Sequence, residues 1–150
     1  MVCKNPDECR DITNERYVRM EPHFSKAYDR MEQYRRALEE KRATMTFVPH
    51  ETFRELDRAV SKRQVLEVIE QGEIIECHYF KKSREYIFLL SHFFKIGPGQ
   101  YRPFHVPVVM KEDKPLHIEL KSVYDPRTKK YKWNKSYSQR ICVCESKQRN

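Results

Sequence analysis

The apolar positions of this chain change rhythm once, after Gly72. Before it, Tyr17, Met20, Phe24, Tyr28, Met31, Tyr34 and Leu38 recur at intervals of three and four within residues 13–42, the spacing of one helix face. Pro22 is placed to start the longer part of that helix, in a first turn where no backbone N–H is needed. Its flanks are heavily charged. The Tyr/Met stripe therefore reads as packing onto the domain that follows, with a partner surface as the alternative. Residues 44–48 read as a connector, and Pro49 opens a helix that ends near Ala59. Ser61-Lys-Arg-Gln64 has the S-x-x-Q form of a capping box. Val65, Val68 and Ile69 supply the buried face of the helix it starts, and Gly72 is placed to end it in a left-handed conformation.

Beyond Gly72, the stretches Glu73–Phe80, Glu85–Phe94, Tyr101–Met110 and Pro115–Tyr124 are rich in β-branched and aromatic residues. Turns separate them at Lys81-Lys-Ser83, Gly97-Pro-Gly99 and Glu112-Asp-Lys114. The spacing predicts an antiparallel meander of four strands. With the helices before it, this is an α+β layout in which the helices pack on one sheet face. Pro107 inside the third strand points to an edge or a bulge. Along the chain this gives a helical N-terminal extension (1–45), an α+β domain (46–134) and a basic C-terminal tail (135–150).

Length adds that 150 residues suffice for one domain with a real core. Charge adds more. The formal net charge is +8, and residues 111–150 carry eleven Lys/Arg against five Asp/Glu, whereas the preceding stretches are nearly balanced. Such asymmetry points to a polyanion partner, nucleic acid or acidic protein. From Lys121 to Arg140 there are seven Lys/Arg and one acid, Asp125. Here Lys130 and Lys132 alternate with Tyr131 and Trp133. Aromatics can stack on bases while cations track phosphates; the same alternation also suits a fifth strand. No stretch approaches a membrane span, and Met-Val-Cys-Lys-Asn-Pro lacks the apolar core of a signal peptide, so a soluble cytoplasmic protein is expected. Cys3/Cys9 are separated by five residues and Cys142/Cys144 by one. Together the four could supply thiolates to zinc, but neither spacing is that of a common zinc knuckle, so they and Cys77 are expected to be free thiols, without a metal or other cofactor.

Candidate chemistry gathers at four places. His50, Arg54 and Arg58 are four residues apart and so share one helix face, away from Phe53, Leu56 and Val60. Alone, that stripe is an ordinary solvated basic face. Arg102 and His105 flank the start of the third strand, Ser122 and Tyr124 end the fourth, and His78 lies beside Tyr79. Metal-free RNA cleavage needs a base for the 2′-hydroxyl, an acid for the leaving oxygen and cations at the phosphate. Imidazole and guanidinium suit those tasks. There is no P-loop, dinucleotide fingerprint, G-x-S-x-G or H-E-x-x-H. His23, His92 and His117 lack a partner pattern and read as packed or surface histidines.

These motifs follow one another in an order that resembles the domain-of-unknown-function family numbered 4258, within the RelE-like and barnase/EndoU/colicin-like toxin ribonucleases. His50, Arg54, Arg58 and Ser61 fit H-x3-R-x3-R-x2-S. Gly72-Glu-Ile-Ile-Glu76 fits G-E-I-I-E, and Arg102-Pro-Phe-His105-Val106 fits R-P-L-H-V. Val123-Tyr124 with Pro126 is similar to the closing I-T-x-Y-x-P. The resemblance covers a little over half of the chain, from His50 to about Trp133. Ala59 stands where the family has glycine, and the hairpin around 96–101 is longer. The resemblance implies a RelE/barnase-like fold and a metal-independent endoribonuclease, toxin-like or RNA-processing, with RNA as substrate and a cognate antitoxin as partner. His50 would be the leading acid or base, with His105 the second. Arg54, Arg58 and Arg102 would hold phosphate and Tyr124 would orient substrate, with Ser122, Lys130 and Lys132 contacting RNA. The alternatives are a non-catalytic nucleic-acid-binding module and a protein-interaction factor of a mobile element.

Overall fold

In the computed structural model, residues 2–47 and 61–144 are described. The segment expected to form a helix from Pro49 to Ala59, with His50, Arg54 and Arg58, lies outside them. The first element, α1, runs Pro6–Glu39, starting earlier than the apolar stripe suggested. Its start is set by Asn5, whose side chain accepts from the Glu8 N–H, with Pro6 at the first helical position and Asp7 and Glu8 in the first turn. Pro22 does not start a helix; it sits inside one. The carbonyl it leaves without a donor is that of Val18, an exposed residue that water can reach. Burial of Met20, Ala27 and Met31 on either side holds the two halves in line. Ala27, not the exposed Tyr28, meets the core. The helix closes with Lys41 at φ 63° and the Arg42 N–H donating to the Ala37 carbonyl at 2.7 Å.

The α+β class holds, but the sheet has five strands and is mixed. They are β1 (Thr44–Phe47), β2 (Glu73–Phe80), β3 (Glu85–Gly97), β4 (Gln100–Lys111) and β5 (His117–Leu120), in the order β1-β5-β4-β3-β2. Strands β2 to β5 form the expected antiparallel meander, while β1, expected as a connector, pairs parallel with β5 from Thr44↔His117 to Phe47↔Leu120. Four residues are too few to announce a strand. Only the distant partner reveals it, helped by His117 bonding the Thr44 and Thr46 hydroxyls at 2.7 and 3.2 Å.

Pro107 lies on a central strand, opposite an irregularity. His105 pairs with Tyr124 while Val108 pairs with Leu120, so the partner side carries one extra residue. The missing proline donor falls at that bulge. The segment proposed as a possible fifth strand is instead a 3-10 turn, Pro126–Lys132.

Between β1 and β2, α2 (Lys62–Gln71) starts with the expected capping box, Ser61 and Gln64 satisfying each other's backbone N–H. Gly72 ends it, but at φ −64° and ψ 146°, an extended rather than left-handed conformation. Glycine is needed here for closeness: a Cβ would stand 2.4 Å from the Val68 carbonyl oxygen and 3.3 Å from the Leu90 Cβ. Arg35 of α1 completes this helix end, donating to the Ile69 and Gly72 carbonyls at 2.8 and 2.6 Å.

Both helices lie on one sheet face. Met20, Met31, Tyr34, Val68 and Ile69 share a core with Phe88, Leu90, Phe104, Val106 and Ile118. α1 closes the core, and β1 joins the sheet. Within residues 135–144, Arg140 and the buried Cys142 pack against the rest of the fold. On the opposite face, Ile75, Leu89 and Trp133 form a smaller cluster with Tyr124 and Tyr137. Among the described residues no helix is long and apolar enough to cross a membrane.

Overpacking and displaced backbone typically cost about 1–3 kcal/mol. Gly72→Ala should lower stability by that amount in chemical denaturation, and an unchanged midpoint would contradict the close approach at Val68.

Candidate nucleic-acid interface

Alternation along β4 sends Phe104 and Val106 toward the helices and His105 toward the smaller cluster. Here the chain folds back over the sheet. Tyr124 pairs with His105 through two backbone hydrogen bonds of 2.9 and 3.0 Å. Asp125 then caps the 3-10 turn, accepting from the Arg127 N–H at 2.9 Å. Past that turn, Trp133 and Arg140 pair as an antiparallel bridge, closing a tight loop. Asn134 shapes this loop from inside, its Oδ1 accepting from the Ser138 and Gln139 N–H groups at 3.0 and 3.3 Å. Tyr137 is held at φ 56°, a strained value for a bulky residue. That strain aims its carbonyl at His105.

Between residues 121–132, which follow β5, and this loop lies a cleft of ≈ 610 Å³. Lys121, Lys129, Lys132 and Arg140 line it together with Tyr124, Trp133 and Ser122, and no carboxylate is among its described lining residues. The cleft thus pairs cations with two aromatic surfaces, a combination suited to a flexible polyanion with flat bases.

Behind the lining, polar groups fix one another. The Arg140 guanidinium meets the Glu76 carboxylate through bonds of 2.9 and 3.2 Å and lies 4.5 Å over the Trp133 ring. Its backbone N–H donates to the Tyr17 hydroxyl at 2.7 Å, tying the loop to α1. Glu76 is only 7% exposed. Burying a carboxylate this deeply is costly unless it is paired and hydrogen-bonded, as it is here.

His105 is fully buried, with its ring 4.5 Å from that of Trp133. The Tyr137 carbonyl, 2.8 Å from Nε2, can only accept, so Nε2 carries the hydrogen. Nδ1 then accepts from the Tyr124 hydroxyl at 3.3 Å. Burial pushes the imidazole pKa down to about 4, against the opposing pull of the Tyr137 carbonyl and Glu76. Burial likewise pushes the Tyr124 hydroxyl up to about 12, although Arg140 opposes it. At neutral pH, Tyr124 is therefore a protonated donor at the cleft wall, and His105 is a neutral imidazole behind it.

Of the residues proposed from sequence, Tyr124, Ser122 and Lys132 meet in the cleft, and His105 stands directly behind it. Exposed Lys130 does not line it. Arg102 lies elsewhere: its Nε is 3.3 Å from Asp125, its guanidinium 4.8 Å from the Phe104 ring. Arg127 holds the same carboxylate at 2.7 Å. Burial would raise the Asp125 pKa, but these arginines outweigh it and keep the group below its ordinary value. Lys121, Lys129, Glu76 and Arg140 were not singled out from sequence. The basic run contained three of them, but only the Glu76–Arg140 contact shows which cations turn inward.

His78, beside Tyr79 on β2, lines a different hollow of ≈ 510 Å³ with Arg16, Arg19 and His23. His92 pairs with Glu67 at 2.8 Å. Near the termini, Cys3, Cys9, Cys142 and Cys144 bring their sulfurs within 4.8 Å of one another. Compared with known proteins, the chain matches no family model, no curated protein and no solved structure.

The histidine gives a pH signature. Its folded-state pKa lies below the ordinary 6.5, so the unfolded chain binds this proton first as pH falls. Stability should therefore drop between pH 6.5 and about 4, by up to about 1.4 kcal/mol per pH unit from this group. Denaturant titrations at pH 7 and 4.5 should show a smaller drop in His105→Gln. An equal drop in the variant would contradict a neutral buried imidazole.

Proposed function

We propose that this chain acts on RNA, gripping a single-stranded segment in the cleft and cleaving it as a metal-independent endoribonuclease of the toxin-like or RNA-processing kind. The observation that carries this is the convergence of Lys121, Lys129, Lys132 and Arg140 with Tyr124 and Trp133 in one cleft whose described lining includes no carboxylate. Three segments that carry the resemblance to family 4258 also meet on this face: Glu76 on β2, His105 on β4, and Tyr124 paired with His105. The toxin-like class, a RelE/barnase-like strand arrangement and a cognate antitoxin as partner belong to the same proposal.

In the proposed reaction the base removes the 2′-hydroxyl proton and that oxygen attacks phosphorus. The 5′-oxygen departs with a proton from the acid, leaving a cyclic phosphate. His50 takes the base or acid role, with Arg54 and Arg58 beside the phosphate. Tyr124, protonated at neutral pH, donates to a phosphate or leaving oxygen, and His105 acts as a positioning residue through Tyr124. Arg102 contributes by holding Asp125 and the 3-10 turn.

One observation favours the alternative of a non-catalytic nucleic-acid-binding module. His105, the histidine nearest the cleft among the described residues, has both ring nitrogens engaged and no exposure. Contacts to phosphate need cations alone.

Incubation with single-stranded RNA in magnesium-free buffer separates these outcomes. Wild type should leave cyclic-phosphate ends, His50→Ala should abolish cleavage, and Tyr124→Phe should slow it by roughly 100-fold or more, as loss of a proton donor does. RNA bound but uncleaved by wild type would leave the binding module. Binding should weaken with salt, and Lys129→Gln with Lys132→Gln should reduce the log–log slope by about 1.4, at ~0.7 per phosphate contact on a single strand. An unchanged slope would remove those lysines from the interface.

A further inference from the structure

The strongest unassigned feature lies where the two ends of the described chain meet. Cys3 precedes α1 and Cys9 lies in its first turns, while Cys142 and Cys144 follow the Trp133–Arg140 loop. The Sγ atoms are 4.0 Å apart for Cys3 and Cys144, 3.8 Å for Cys9 and Cys142, and 3.7 Å for Cys9 and Cys144. A zinc ion bound by four thiolates at about 2.3 Å in a tetrahedron places its sulfurs about 3.8 Å apart. Four thiols do not otherwise gather round one point, since S–H···S contacts are weak. With all four sulfurs within 4.8 Å of one another, the group has the size of a site for a single ion rather than a polynuclear cluster.

Its surroundings suit thiolates. The Val143 N–H donates to Cys9 Sγ at 3.5 Å and the Cys144 N–H to Cys142 Sγ at 3.4 Å, and the Lys4 N–H points to Cys144. Backbone donors of this kind orient ligating sulfurs and spread their charge. The positive end of α1 lies beside Cys9. Cys9 and Cys142 are buried and the other two half-buried, which shields the centre. The fifth cysteine, Cys77, is elsewhere, its sulfur 3.6 Å from the Met20 carbonyl.

We propose that Cys3, Cys9, Cys142 and Cys144 bind one zinc ion in a closed, structural tetrathiolate site that fastens the start of α1 to the C-terminal segment. All four positions are filled by protein, so the ion has none open for substrate. The proposal stands independently of what the cleft holds.

Full-length protein purified under reducing conditions should contain one equivalent of zinc. Cobalt(II) added to the reduced, metal-stripped chain should give the intense red-region absorption and thiolate charge-transfer band of a tetrahedral four-sulfur site. Cys9→Ser and Cys142→Ser should lose both signals, whereas Cys77→Ser should retain them. If a serine variant does not fold, zinc content and the cobalt spectrum of wild type still decide. Metal-free protein with no cobalt–thiolate band would overturn the site. So would disulfides among these four residues under reducing purification, or equal metal loss in Cys77→Ser.

Discussion

The nearly buried carboxylate of Glu76 governs the second face of the sheet. A charge at that depth is tolerable only with a partner that neutralises and hydrogen-bonds it. The partner, Arg140, comes from 64 residues further along the chain. Meeting this demand pulls the C-terminal segment across the strands. Trp133 then packs on Ile75 and Leu89, the Arg140 guanidinium lies over its ring, and the loop between them presses the Tyr137 carbonyl onto His105. Without the Glu76–Arg140 pair this face would be an open sheet; with it, the face becomes a walled cleft.

The two faces divide the work. Helices α1 and α2 bury the larger core against one face of the sheet. The smaller cluster on the other side is polar at its centre, with a neutral imidazole between a carbonyl and a tyrosine hydroxyl. Fixed donors on a rigid support suit binding and catalysis, because little reorganisation is needed when a ligand arrives. The sulfur cluster lies two residues past Arg140. An ion there would hold the end of the same segment that Arg140 holds in its middle, so the cleft wall would be fastened at both points.

What was legible in the sequence was local. Ser61 and Gln64 announce a helix start because both partners lie within one turn, and the meander is visible because each turn joins neighbouring strands. Pro22 and Gly72 misled for physical reasons. A helix packed on both sides of a proline can carry it, and close backbone approach requires glycine as firmly as a positive φ does. Strand β1, the Glu76–Arg140 pair and the four-sulfur group were hidden because their partners are far apart in sequence. The cysteines show this best: four thiolates for zinc can be counted in the sequence, but the spacing within each pair argues against a metal, and it is the fold that brings the sulfurs together. His105 stands out in the sequence as a titratable group, but its burial depends on Trp133 and Tyr137.

RNA binding in the cleft between residues 121–132 and the Trp133–Arg140 loop is the proposal on which the rest turns. Photo-crosslinking with 4-thiouridine-substituted single-stranded RNA, followed by mass-spectrometric mapping of the modified peptides, tests it most directly. Adducts should concentrate on the 121–140 segment, at Tyr124, Lys129, Lys132 or Trp133. Adducts confined to the hollow beside His78 and Arg19, or scattered evenly over the basic surface, would contradict it.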